Sequence, residues 1–150
     1  MLTYNKKVIG FKEPDVWTFV ECSIRSSGNR PLVGWYENTL SEEGKFEFDS
    51  ILKTNHKTKN HKEWQGFRGF LKGKAERYRI WELGFKADNR QYRVFGTFGN
   101  VRRQAILLCG CYHKMGVYMP PNAIKSACKI AREIEAGGVD FHERKIESDL

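Results

Sequence analysis

Five consecutive apolar residues, Ala105-Ile106-Leu107-Leu108-Cys109, stand in a segment of strong β-strand character. Successive side chains of a strand point to opposite faces, so a strand can be apolar at every position only where both faces are covered. The chain must therefore place structure on both sides of a sheet that has this strand near its centre. Strand signals precede it in series: residues 77–86, a turn at Asp88-Asn89, residues 91–98, a turn at Gly99-Asn100, then residues 103–112. Turns this short imply consecutive antiparallel hairpins. A first strand is expected over residues 17–24, closed by Ser26-Ser27-Gly28-Asn29.

The covering layers are helical. Val33, Tyr36, Leu40, Phe48, Ile51 and Leu52 recur at helical spacing behind Pro31, which suits a first-turn position. One long helix and two short ones both fit, because a mid-helix Gly44 costs about 1 kcal/mol relative to alanine and often marks a break. A last helix opens at Pro120-Pro121, carries the apolar stripe Ile124, Ala127, Cys128, Ala131 and Ile134, and ends at Gly137-Gly138. Residues 56–74 are polar, basic and glycine-punctuated, and read as a loop with a short helix over residues 64–71. The expectation is one domain over residues 1–150, with residues 1–15 as an arm and residues 139–150 as a charged tail. Its class is α+β, with a small antiparallel sheet in the order strand, helix or two helices, three-strand meander, C-terminal helix. A hydrophobic content of 40% suits one core of ordinary size. No run approaches the roughly 18 apolar residues of a membrane span, and residues 1–7 do not resemble a signal segment, so the expected location is the cytoplasm.

The net charge is +8, and most of the excess sits in one stretch. Between Lys53 and Arg79 nine basic residues (Lys53, Lys57, Lys59, Lys62, Arg68, Lys72, Lys74, Arg77, Arg79) face two acids, Glu63 and Glu76. Such a run is either a solvated surface or the footprint of a polyanion. The interleaved Trp64, Phe67, Phe70, Tyr78 and Trp81 favour nucleic acid, since rings can stack on bases, although core packing also accounts for them. Several chemistries are disfavoured. The chain has no glycine-rich phosphate loop, no nucleophile elbow and no histidine pair at metal spacing. Over residues 77–119 only Glu82 and Asp88 are acidic, too few for the carboxylate cluster of a two-metal nuclease. Cys22, Cys109, Cys111 and Cys128 lack zinc-type spacing and read as small buried hydrophobes. No cofactor and no metal are expected.

The meander instead offers cations and aromatics: Arg77, Arg79, Arg90, Arg93, Arg102, Arg103, then Tyr112, His113, Lys114 and Tyr118. A guanidinium matches two phosphate oxygens and keeps its charge, so it can stabilise a phosphorane-like transition state without a metal. RNA brings its own nucleophile in the 2′-hydroxyl, leaving proton transfer for His113, Lys114 or Tyr118. Each has a structural alternative: Arg93 as a solubilising strand residue, Arg102 and Arg103 as surface charges after a turn, His113 as a strand-end histidine, Tyr118 as a packed loop residue.

The segments YRIWELGF, QYRVFGTF, AILLCGCYHK and MPPNAIKSACKIAREIEAG, with GNRPLVGWYENTL before them, resemble the RelE/ParE superfamily of toxin-antitoxin proteins. The likeness is nearest to the HigB-like, phage-associated branch and covers roughly two-thirds of the chain at the level of pattern. It implies a compact RelE-like sheet with helices on one face and an open basic face, and a cognate antitoxin protein that masks it. The function implied is that of a toxin cutting messenger RNA on the ribosome without metal. The alternatives are a non-catalytic nucleic-acid- or gyrase-binding relative, or a degenerate phage-derived one. Carried over by position, Arg93 matches the arginine of the Tyr-Arg strand, and His113 and Lys114 match the basic pair after the apolar strand. Gly84 occupies the position after Glu-Leu where the branch has arginine, so one expected phosphate contact is absent unless Arg79 or Arg77 replaces it. Tyr118 would orient a base, and Lys72, Lys74, Arg77, Arg102 and Arg103 would hold the nucleic-acid backbone.

Overall fold

The computed structural model describes residues 16–146. The expected arm over residues 1–15 lies outside the described residues. Strand β1 (Thr18–Ile24) leads through a turn into helix α1 (Pro31–Asn38), with Pro31 in its first turn, and then α2 (Glu42–His56). The two helices are separate. The break falls at residues 39–41 and not at Gly44, because Ser41 caps α2 by accepting the Gly44 backbone N–H at 3.0 Å. Glu42 and Glu43 in the first turn and Lys53 and His56 in the last complement the helix dipole.

The loop expected after α2 contains more structure than its composition suggests. A 3-10 turn (His61–Glu63) is followed by strand β2 (Phe67–Phe70), where a short helix was expected, and by a second 3-10 turn (Gly73–Tyr78). Asn55, fully buried, anchors this loop by accepting the Gln65 N–H at 2.7 Å and donating to the Gln65 carbonyl at 3.0 Å. The meander follows as β3 (Trp81–Ala87), β4 (Arg90–Phe98) and β5 (Gln104–Lys114), then β6 (Val117–Met119), helix α3 (Ala123–Glu135) and β7 (Val139–Glu143). The last of these corrects the expected tail: its first five residues are an edge strand paired with β1.

The sheet has seven strands in the order β2-β3-β4-β5-β1-β7, with β6 on β5. The small antiparallel sheet expected from the hairpins is therefore corrected to a larger, mixed one. The reason is β1, which lies parallel to β5 from Thr18 opposite Gln104 to Glu21 opposite Leu107. Helices α1 and α2 fill one face over Trp35, Phe48, Trp81, Leu83, Val94 and Leu107. Helix α3 packs on the other face over Val20, Ile106 and Leu108, which corrects the expectation of helices on one face only.

The apolar run in β5 is covered on both faces, as its pattern required. A bulge adds a detail the pattern could not carry. Phe95 stands opposite Cys109 and Gly96 opposite Leu107, so Leu108 has no residue across from it, and Leu108 and Cys109 both enter the α3-side core. Glycine is needed on both strands nearby. A Cβ at Gly96 would lie 2.3 Å from the Trp81 ring, and one at Gly110 would lie 2.2 Å from the Trp35 ring. Among the described residues no helix is long and apolar enough to cross a membrane.

Candidate functional site

On the α3 side of the sheet, β3, β4 and β5 carry Glu82, Arg93 and Cys111, all three buried. Register sets Gly84, Arg93 and Cys111 side by side on adjacent strands. Arg93 is only 5% exposed, and its Nε lies 2.8 Å from Glu82 Oε2. Its Nε–H is not directed at that oxygen, so the contact is an ion pair and not an aligned hydrogen bond. Arg93 Nη1 donates to its neighbour's carbonyl, Tyr92 O, at 2.9 Å.

Glu82 collects two further partners. Tyr118 Oη donates to Glu82 Oε1 at 2.7 Å, and Arg68 Nε of β2 stands 3.5 Å from Oε2. Gly84 makes the packing possible: a Cβ there would meet Arg93 Nη1 at 2.8 Å and Arg68 Cδ at 3.0 Å. Gly84 is thus roofed by two arginines that arrive from neighbouring strands.

The ionisation of the cluster follows from its burial. The Tyr118 hydroxyl is pushed well above the ordinary phenol value by burial first and then by its bond to Glu82. Cys111 is pushed up to about 12 by burial, with Glu82 adding to the rise and Arg93 opposing it. Neither group is a proton acceptor or nucleophile near neutral pH. Glu82 stands between two guanidinium groups, and Arg68, with a side chain 54% exposed, is the cation that reaches solvent. His113 lies opposite Tyr118 across β5 and β6, with ring centroids 5.0 Å apart, and exposed Lys114 follows it.

The sequence-derived site residues thus divide into two groups. Arg93, Tyr118 and His113 come together, with Lys114 at the adjoining strand end. Arg79 does not join them. It precedes β3, whose first residue Trp81 is already three positions, roughly 10 Å, from the level of Gly84 and Arg93. Arg79 lies exposed in the left-handed region (φ 53°), its guanidinium 5.3 Å from the Phe70 ring centre and 5.8 Å from that of Phe98.

Arg103 is at the same end, donating from Nη1 to the Lys59 carbonyl at 2.7 Å and lying 5.7 Å from the Trp17 ring. Lys72, Lys74 and Arg102 are exposed there, and Arg77 pairs with Glu135 of α3 at 3.1 Å. These residues sit where β1, β3 and β5 begin and β2 and β4 end, opposite the Asp88-Asn89 and β5–β6 turns. Glu82 and Arg68 were not singled out as site residues from the sequence. The signal for Glu82 was present, as one of two acids in a meander rich in arginine.

All four cysteines are free, and Cys109 is pushed up to about 12, chiefly by burial. Among the described residues no group of three or more histidine, cysteine or acidic side chains could hold a metal ion. No family model, no curated protein and no solved structure matches the chain.

Proposed function

We propose that this chain is an RNA-binding protein of the RelE/ParE toxin type, which grips messenger RNA with the basic end of its sheet and is restrained by a cognate antitoxin. The observation that carries this reading is the segregation of charge. Exposed Lys57, Lys59, Lys62, Lys72, Lys74, Arg77, Arg79 and Arg102 gather around one end of the sheet, with Glu63 and Glu76 as the acids of the same stretch. Clustered cations release condensed counterions when they meet a phosphate backbone, which is the main source of sequence-independent affinity.

Metal-independent cleavage on the ribosome is the second reading, and one observation favours it: Arg93 and Tyr118 share Glu82, and His113 packs against Tyr118, on the α3 side of the sheet. Cleavage requires Glu82 to release Arg93 to a phosphate, whereas binding through the basic end does not. Induction without any partner, with message ends mapped on ribosomes, separates the two. Discrete ends that vanish with Arg93→Ala plus His113→Ala support cleavage. Growth arrest without new ends, relieved by Lys72→Glu plus Lys74→Glu, supports binding. Unchanged growth with no affinity for RNA overturns both.

A further inference from the structure

We propose that the basic end of the sheet carries a second site, a platform of His61, Phe70, Phe98 and Arg79 on which unpaired bases of a single strand stack. The inference rests on the reading of this end as a nucleic-acid surface, and it goes further by specifying an unpaired strand and the residues that read it.

The chain concentrates its rings here. His61 lies 4.9 Å from Phe98 and 6.0 Å from Phe70, and Phe70 lies 6.3 Å from Phe98, centre to centre. All three are half-buried, whereas the rings behind them are closed in: Trp17, Trp64 and Trp81 are 7%, 3% and 0% exposed. Large aromatic rings left partly in water forgo burial worth having, and β2 leaves Phe70 so because it is an edge strand with β3 as its one neighbour.

The indole N–H groups of Trp17, Trp64 and Trp81, Nε2 of His61 and Nε of Arg103 are buried with no hydrogen-bond partner among the described residues. Five such atoms at one end are a concentration that buried polar groups rarely show. Arg79 lays its guanidinium over Phe70 and Phe98, and a guanidinium plane is itself a surface on which bases stack. His61 is held below its ordinary value by burial first, then by Lys62 and Arg79, so near neutral pH it presents an uncharged ring amid the cations.

Cations around aromatic rings are what single-strand binding requires, since phosphates follow the charge and each base has a face to stack. A duplex keeps its bases in its own stack and can use only the charge.

The test measures fluorescence anisotropy at fixed salt with a short labelled single strand, an abasic strand of equal length, a duplex and heparin. The wild-type protein is expected to bind the base-bearing strand about tenfold more tightly than the abasic strand. Phe70→Leu and Phe98→Leu, checked by thermal unfolding, are expected to remove that advantage and leave heparin binding unchanged. Equal affinity for base-bearing and abasic strands overturns the platform while leaving the basic end as a polyanion surface. Binding to none of the probes overturns both, and points to a protein partner at this end. The abasic comparison needs no variant, so it decides the matter even where a substitution unfolds the chain.

Discussion

Arg93 and Glu82 form a nearly buried ion pair, Nε to Oε2 2.8 Å, with side chains 6% and 11% exposed. Removing one member of such a pair leaves the other charge in a poorly solvated place, which costs about 3–5 kcal/mol, whereas replacing both with apolar groups of similar volume is often close to neutral. The two single changes are not equivalent. Arg93→Met leaves Glu82 with Tyr118 and Arg68, while Glu82→Met strands Arg93 with the Tyr92 carbonyl as its remaining hydrogen-bond acceptor. Urea unfolding should rank Glu82→Met as the more damaging single change and the double variant as nearer to wild type than either. An additive double variant would show that the pair is not coupled.

Gly84 is tied to the same pair by space. A methyl group at this position cannot coexist with Arg93 Nη1 at 2.8 Å, and the guanidinium has little freedom to retreat while Glu82 holds it. Gly84→Ala is expected to lower stability by about 1–3 kcal/mol in the wild-type background and by less beside Arg93→Met, because the contacts with Arg93 are then relieved and only the 3.0 Å approach to Arg68 Cδ remains. Denaturation midpoints of the four proteins check this, and an equal cost in both backgrounds would place the strain elsewhere.

The strand order of the meander and the last helix were legible in the sequence because each rests on local pattern: the short turns at Asp88-Asn89 and Gly99-Asn100, the apolar run of β5, and the apolar stripe from Ile124 to Ile134. Parallel pairing of β1 with β5 was not legible, since it joins Thr18 to Gln104 across most of the chain and leaves no local trace. Strand β2 was hidden because FRGF has glycine in a four-residue run and lies inside a basic segment. For the site, Arg93, His113 and Tyr118 were recognised as residue types suited to phosphate chemistry, while their positions relative to one another depend on strand register. What composition could not convey is that Glu82, on the neighbouring strand, would neutralise Arg93. The separation of Arg79 from Arg93 follows from register, and register is not visible in spacing alone.

Binding through the basic end carries a salt signature. Log affinity for RNA should fall by about 0.7 to 0.9 per phosphate contact for each log unit of salt. Lys72→Gln with Lys74→Gln should reduce that slope by about 1.4 to 1.8 if both contact phosphate. Arg93→Met should leave the slope unchanged, since this guanidinium is buried in its ion pair. Titrations at several salt concentrations measure both, and a slope insensitive to the two lysines would move the contact surface away from this end.

His61 makes stability depend on pH in a definite direction. Its folded-state value lies below 6.5 because burial, then Lys62 and Arg79, disfavour the imidazolium. The unfolded chain therefore binds the proton more readily, and acidification favours unfolding. The stabilising contribution is complete above about pH 6.5, the unfolded value, and is lost as pH falls from there through the folded value, below which no further change comes from this group. His61→Phe keeps a ring among Trp17, Trp64, Phe70 and Phe98 but cannot take up a proton. Thermal midpoints followed from pH 8 downward should decline in the wild type below about pH 6.5 and decline less in His61→Phe. Parallel curves for the two proteins would mean that the histidine titrates alike in the folded and unfolded chain, which would remove the physical basis for an uncharged ring at this end of the sheet.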